Sequence, residues 1–403
     1  MERIAIFYPT DPLGHVPGGI DTIIRGILKW APAGHEYTLF GATSDAHARP
    51  VDHEVVLGNG CRFLPLVSID PNARRTAVPV TLRYMLALRR YVGQGKCTAY
   101  DVLDFHRIDL AWLFRRDGRP QNFVIHQDMT ILRDRNCDIM WRHAPWLYEL
   151  IERRLLPNAR HVFTVRRSAV ERYGAMYPAF ASRISFLPTW FDSTIFVPPT
   201  DVQEQSAQRA ALRRELALPG MSRLLVSVGR FDRQKDPLLL LRAFAEVAAA
   251  AADAHLLLIG DGVLHTQVEQ LRAELGLQNR VHLLGVMPPE KIARMLRGSD
   301  LFVLSSAYEG MPIAVLEALA TGLPVASTNV GEISLVVQNG VNGHMCAARS
   351  VQGLATAISA TLSEAPRISG APCTLSVEPY RPQQVLRLIY DNHHAQLGDK
   401  SLL

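Results

Sequence analysis

The chain has 403 residues, more than one ordinary hydrophobic core organises, so two domains are the expectation. At 48% hydrophobic and 20% charged residues its composition is that of a soluble globular protein, which sets aside a disordered polymer. The net charge of +5 would suit nucleic acid or an anionic membrane, but no zinc finger, RNA-binding aromatic motif or basic low-complexity arm accompanies it, which argues against nucleic acid. Five scattered cysteines, odd in number and without metal-ligand spacing, fit a reduced cytosolic compartment.

Met1-Glu2-Arg3-Ile4-Ala5-Ile6-Phe7 reads as a first strand, its apolar run being far too short for a signal peptide. Ile4–Tyr8 leads into a Gly- and Pro-rich loop that ends in Gly18-Gly19, after which Asp21 to Leu28 has helical periodicity. A glycine pair at such a junction lets the backbone approach a ligand closely, or serves as a plain turn. The dinucleotide fingerprint Gly-x-Gly-x-x-Gly does not occur. Further strands are expected at Glu36–Phe40, Asp101–Phe105, Phe123–His126, His161–Val165 and Ile184–Leu187, with helices between, the rhythm of a parallel α/β sheet. His126 closes its strand at the edge where open α/β sheets bind ligands, although a lone histidine also suits a structural role. His106, closing the preceding strand, is a second candidate.

Two basic segments carry apolar and aromatic residues. Arg74, Arg75, Arg83, Arg89, Arg90 and Lys96 surround Tyr84, Met85, Leu86, Leu88 and Tyr91; Arg133, Arg135, Arg142, Arg153 and Arg154 surround Trp141 and Trp146. A solvated helix face and an interfacial surface on anionic lipid both fit. Polar Thr200 to Gln208 reads as a linker into a new helix. Leu238 to Ile259 is broken by Arg242, Glu246 and Asp253, so it reads as a helix plus a strand and not as a membrane span.

In the C-terminal half the strand Leu224–Val228 is followed by Gly229-Arg230-Phe231-Asp232-Arg233-Gln234-Lys235-Asp236, a turn that carries Arg230 and Lys235. Leu256–Ile259 precedes Gly260-Asp261-Gly262, and Val281–Leu284 precedes Gly285. The strand Leu301–Leu304 then enters Ser305-Ser306-Ala307-Tyr308-Glu309-Gly310-Met311-Pro312-Ile313-Ala314-Val315-Leu316-Glu317. Pro312 suits a helix start and Gly322 a helix end, so Glu309 lies at the mouth of the turn and Glu317 more than one turn inside the helix. Free N–H groups at such a helix start favour an anion. No Asp-x-Asp motif or His/Asp cluster is present, so no metal is expected, and Arg230 and Lys235 are candidate cations for an anionic ligand.

This series of motifs resembles glycosyltransferase family 4, the retaining nucleotide-sugar glycosyltransferases of the GT-B fold, strongly over residues 222–345 and more weakly over the N-terminal half. Pro188-Thr189-Trp190-Phe191-Asp192 is similar to the segment that closes the family's first domain, with Thr189-Trp190 in place of Asn-Gly. The resemblance implies two Rossmann-like α/β domains facing a cleft. Residues 1–198 would bind acceptor, 199–378 would bind donor, and 379–403 would form a helix crossing back. It places Gly18 and Gly19 toward sugar and diphosphate, His126 on a sugar hydroxyl, and Arg230 and Lys235 on the diphosphate. Gly285, Val286 and Met287 would meet the base, and Glu309 the sugar hydroxyls. The backbone of Gly310, Met311, Pro312 and Ile313 would face sugar and phosphate, and Glu317 the ribose. Of these, His126, Arg230, Lys235 and Glu309 are expected to carry the reaction. Gly331-Glu332 replaces the family's glycine pair, and Leu335 stands where a glutamate is common.

The resulting expectation is transfer of a hexose, with retention, from a UDP- or GDP-hexose to a lipid-linked saccharide in surface polysaccharide (exopolysaccharide or lipopolysaccharide) assembly. The donor is a substrate and no cofactor is required. The protein is expected in the cytoplasm, peripheral on the inner face of the cytoplasmic membrane. A soluble-acceptor transferase of the sucrose- or trehalose-synthase type and a non-catalytic nucleotide-sugar-binding protein are the alternatives. A two-carboxylate glycosidase is rejected, because Glu309 and Glu317 are assigned to opposite ends of one ligand.

Overall fold

The computed structural model describes residues 2–14, 19–70, 78–126 and 144–398. Gly18, Cys137 and, from the basic segments, Arg74, Arg75, Arg133, Arg135, Trp141 and Arg142 lie outside these residues. Contacts divide the described chain into two compact units, one running to Pro188 and resuming at Pro382, the other Thr189–Arg381.

The first unit is built on β1 (Glu2–Phe7), β2 (His35–Thr43), β3 (Val55–Gly58), β4 (Cys61–Ser68), β5 (Val102–Phe105), β6 (Gln121–Ile125), β7 (His161–Thr164) and β8 (Ile184–Phe186), in the order β3-β4-β2-β1-β5-β6-β7-β8. All neighbours are parallel except β3 and β4. Helices α1 (Gly19–Lys29), α2 (Val80–Gly93), α3 (Pro145–Leu155) and α4 (Arg167–Met176) accompany it, with a 3-10 helix at Ile108–Phe114. Central strands buried on both faces read as continuous apolar runs, which is why Ile4 to Phe7 is wholly buried. The β3–β4 hairpin was not expected from the sequence. It turns through Asn59 and Gly60, both with positive φ, the residue pair that such a tight turn demands.

The structure corrects the reading of the first basic segment. Tyr84, Leu88 and Tyr91 of α2 are core residues, with the Tyr84 hydroxyl donating to the Phe40 carbonyl (2.6 Å) and that of Tyr91 to Asp52 (2.8 Å). Of the large apolar side chains of α2, helical spacing turns Leu82 and Leu86 outward, along with Arg89 and Arg90.

The second unit has β9 (Arg223–Val228), β10 (Ala254–Ile259), β11 (Val281–Leu283), β12 (Leu301–Leu304), β13 (Val325–Thr328) and β14 (Gly343–Cys346), all parallel, in the order β11-β10-β9-β12-β13-β14. Its helices are α5 (Val202–Glu215), α6 (Pro237–Ala250), α7 (His265–Glu274), α8 (Pro289–Gly298), α9 (Ile313–Ala320), α10 (Val351–Ile368) and α11 (Ala371–Val377). The sequence directions of the strands diverge between β9 and β12, so the loops after those two strands flank the crevice where such sheets bind ligands.

Two expected boundaries move. Residues 189–198 belong with the second unit, because Phe191 and Phe196 pack in its core and the Thr189 hydroxyl donates to the Met311 carbonyl (3.1 Å). The polar stretch read as a linker is the start of α5. Asp201 caps it by accepting from the Glu204 N–H (2.7 Å), and Glu204 reaches back to the Thr200 N–H (2.7 Å), so the Gln-rich run is a solvated helix face.

The last segment, α12 (Pro382–Val385) and α13 (Arg387–Gly398), returns to the first unit. The fully buried His393 places Nδ1 2.9 Å from the Tyr37 hydroxyl and Nε2 2.7 Å from Asp104. Gln396 donates to Asn122 Oδ1 (2.8 Å), and Asn122 donates to Asp104 Oδ1 (2.9 Å). Among the described residues no helix is long and apolar enough to cross a membrane, and Cys61, Cys97, Cys346 and Cys373 are free buried thiols. Because a buried polar group costs more unpaired than its bond contributes, Gln396→Leu should destabilise the protein by about 1–3 kcal/mol. The double variant with Asn122→Leu should lose less than the two single losses combined, as read from urea unfolding in a double-mutant cycle.

Candidate functional site

The loops after β9 and β12 meet through their charged side chains. Lys235 Nζ lies 2.6 Å from Glu309 Oε1, and Glu309 is only 7% exposed. A buried carboxylate needs all its acceptor sites filled. Ser306 donates to Oε1 (2.7 Å) and the Gln234 amide lies 3.4 Å from Oε2. The loops are also stitched by backbone: the Ala307 N–H donates to the Gln234 carbonyl (2.7 Å), and the Ser305 hydroxyl to that of Lys235 (2.8 Å). Arg230 is 55% exposed and pairs with Asp232 (3.1 Å), whose other carboxylate oxygen accepts from the Lys235 N–H (2.9 Å). Asp232 therefore holds the Arg230 guanidinium and fixes the backbone at Lys235. Asp236, in the left-handed region at φ 44°, caps α6 through the Leu239 N–H and pairs with Arg349.

Gly310, Met311 and Pro312 lead into α9, whose Val315, Leu316, Ala318 and Leu319 are fully buried. Burial of each large aliphatic side chain there contributes about 1.5–3 kcal/mol and fixes the helix start over the loop. Pro312 is the N-cap itself, one position before the first helical residue. Gly331 (φ 60°) cannot be replaced without strain, since a Cβ would come within 2.3 Å of the Gly310 carbonyl oxygen. The Glu332 N–H donates to that same oxygen (2.8 Å), so the Gly331-Glu332 departure still braces the acidic loop.

Glu317 differs in kind from Glu309. Burial, then the neighbouring Asp192 carboxylate, push its pKa up to about 8, against the weaker opposing effect of Lys235. Asp192 comes from the Pro188–Asp192 segment, which contacts the acidic motif through Thr189 and adds the charge of Asp192 to the surroundings of Glu317. At the next strand end, Gly285 (φ 69°) accepts from the Gly260 N–H (2.9 Å), Val286 is exposed, and Met287 packs on the core.

In the first unit, the loop after β1 is anchored by Asp11, which is fully buried. It accepts from the Ser44 N–H and hydroxyl (both 2.7 Å) and the Leu13 N–H (3.0 Å), and pairs with Arg49 (2.9 Å). Burial opposes its charge, but these donors outweigh it and hold the carboxyl below its usual value. Gly19 begins α1. His106 and His126, after β5 and β6, stack at 5.3 Å between ring centroids, with His106 Nδ1 3.0 Å from His126 Nε2.

The structure thus gathers Arg230, Lys235, Glu309 and the start of α9 at one crevice, with Glu317 on that helix. Sequence reading missed Asp192, Asp232, Gln234, Ser306 and Asp11. Asp232 and Gln234 were visible inside the cationic loop, whereas the role of Asp192 depends on a distant chain segment. Among the described residues no three His, Cys, Asp or Glu side chains are arranged to hold a metal ion.

Comparison with known proteins agrees with this architecture. The family described as glycosyl transferases group 1 matches residues 208–368, and a glycosyl transferase 4-like domain matches residues 18–190. A D-inositol 3-phosphate glycosyltransferase of Rhodococcus jostii is 30% identical over 370 residues, 87% of this chain and 78% of the relative. A protein of the same name from Corynebacterium urealyticum is 25% identical over 399 residues, 94% of this chain and 89% of the relative. Among solved structures, sucrose-phosphate synthase from Thermosynechococcus elongatus superposes with a TM-score of 0.80 at 21% identity, covering 99% of this chain and 100% of that one. Anabaena HepE in complex with UDP-glucose gives 0.73 at 16% identity, covering 98% and 100%. The chain belongs to the glycosyl transferases group 1 family and is a hexosyltransferase of the GT-B fold.

Proposed function

We propose that the protein transfers a hexose, with retention, from a UDP- or GDP-hexose to a lipid-linked saccharide in surface polysaccharide assembly. The observation that carries the donor half is the Lys235–Glu309 bridge across the crevice between β9 and β12. Arg230 and Lys235 take the charge that develops on the leaving diphosphate, together with the N–H groups at the start of α9. Gly285 to Met287 meet the base, Glu317 the ribose, and Glu309 and His126 the hexose, with Gly18 and Gly19 toward sugar and diphosphate. A nucleotide-sugar ligand in HepE supports this donor class.

A surface of the first unit supports the lipid acceptor and a peripheral place on an anionic membrane. Leu82 of α2, Trp112 of the 3-10 helix and Leu150 of α3 are exposed and line one groove, together with Arg115, Arg116 and Arg154. Apolar residues flanked by arginines suit the boundary between acyl chains and headgroups. The names of the relatives favour a second reading, a small soluble anionic acceptor.

Three measurements test these assignments. If fixed cations serve in place of a metal, transfer persists in EDTA, and Arg230→Ala and Lys235→Ala each lower kcat strongly. Complete loss in EDTA, restored by magnesium or manganese, refutes that part.

The acceptor readings separate in vesicle co-sedimentation. A lipid acceptor predicts salt-sensitive binding to anionic vesicles, reduced in Trp112→Ser and Leu150→Ser, whereas equal recovery from neutral and anionic vesicles favours the soluble acceptor.

The Glu317 assignment is tested by its proton. Ribose hydroxyls donating to Glu317 favour its ionised form, so donor binding lowers a pKa that starts at about 8. Below that pH the carboxyl is protonated in the free protein and must lose its proton on binding. Affinity for the sugar nucleotide that binds should therefore rise with pH through neutrality and level off above about 8. Calorimetry in buffers of different ionisation heat should detect proton release at pH 7 in the wild type and none in Glu317→Gln. Equal release in both removes Glu317 from the ribose.

A further inference from the structure

The two histidines at the ends of β5 and β6 are unequal partners. His106 is 3% exposed, and its Nε2 is buried without any hydrogen-bond partner. His126 is only partly buried, and its bond to His106 is made through Nε2. Burial pushes the pKa of His126 down to about 3, and burial with the neighbouring ring pushes that of His106 well below its usual range. Both rings are therefore neutral at physiological pH, and each carries a single N–H.

One of those protons lies in the 3.0 Å contact between His106 Nδ1 and His126 Nε2. If it belonged to His126, the remaining proton of the pair would sit on His106 Nε2, a buried N–H with nothing to receive it. Orphaned N–H groups are rarer in protein interiors than under-satisfied acceptors. If it belongs to His106, the buried Nε2 is a bare lone pair and His126 must carry its own proton on Nδ1.

We infer that His106 is a positioning residue that fixes His126 in the Nδ1–H form, so that His126 presents a hydrogen-bond donor, and not a base, to its ligand. The ligand group that this form recognises is an oxygen lone pair, such as that of a sugar hydroxyl, and its effect on transfer rests on the proposed contact of His126 with the hexose. His126 then neither takes nor gives a proton in the reaction. It orients the sugar through one N–H, and the orientation of that N–H is set by a residue that does not touch substrate.

Long-range nitrogen–proton correlation NMR on protein labelled with 15N-histidine tests the inference without substrate. The His126 ring is identified as the signal set lost in His126→Asn. In the wild type at neutral pH its Nδ1 should have the shift of a protonated ring nitrogen and its Nε2 that of a bare one. His106→Leu, which removes the donor, should shift His126 toward the Nε2–H form and lower kcat/KM about tenfold, the worth of one neutral hydrogen bond. His106→Asn places an amide N–H where Nδ1 stood and should restore both. A protonated Nε2 on His126 in the wild type, or a His126 spectrum unaltered by His106→Leu, overturns the inference. If the NMR behaves as expected while kcat/KM is the same in all three proteins, His106 still sets the tautomer, and it is the contact of His126 with the hexose that fails.

Discussion

An ammonium and a carboxylate in contact beneath the protein surface stabilise little by themselves, because desolvation offsets most of their attraction. The Lys235–Glu309 pair is tolerated because Ser306 and Gln234 serve the remaining oxygen positions and the two loops are fastened through backbone at Ala307. Its arrangement has a consequence for the reaction. An anion arriving at Lys235 meets a cation that already has a partner, so the ligand must share or displace Glu309. Sequence reading set Glu309 on the sugar and Lys235 on the diphosphate as separate functions. In the structure they are one electrostatic unit, and a change at either alters the charge presented by the other.

Glu317 follows the opposite logic. Burial first, and then the charge of the Asp192 carboxylate, make its environment favour the neutral acid. On one short helix and the loop before it, the protein therefore holds one glutamate in contact with a cation and one that waits for donors. Hydroxyl pairs are suitable donors, since they can satisfy a carboxylate without carrying charge of their own.

The positions along the chain of β9 to β12 were legible because buried parallel strands are short apolar runs, and the loops after them carry most of the polar chemistry. Leu301–Leu304 followed by Ser305-Ser306 shows this directly. The β3–β4 hairpin has its signal in Asn59-Gly60, as does the cap of α5 in Asp201 and Glu204, so both are features that local turn and cap chemistry makes readable. β14 gave little signal, being four residues that begin with a glycine, whose backbone packs so close to β13 that a Cβ would lie 2.0 Å from the Val325 oxygen. The raised pKa of Glu317 and the anchoring of Asp11 by Ser44 and Arg49 were illegible, since both depend on side chains that only folding brings near.

Position, more than residue type, separates a site from a structural feature here. His255 and His282 also stack, at 5.5 Å, with Nδ1 and Nε2 3.2 Å apart, yet they lie within β10 and β11 and not in the loops that follow those strands. His106 and His126 make nearly the same contact one residue beyond their strands, at the edge from which the loops depart. The same principle bears on the acceptor. A small soluble anion and a lipid-linked saccharide place identical demands on the donor crevice, so nothing at Arg230, Lys235 or Glu317 distinguishes them. The demand that differs is for apolar surface. Single exposed leucines are ordinary on proteins. Leu82, Trp112 and Leu150 come from three separate elements and still line one groove, beside Arg115, Arg116 and Arg154, so it is at this groove and not at the crevice that the two acceptors would make different demands.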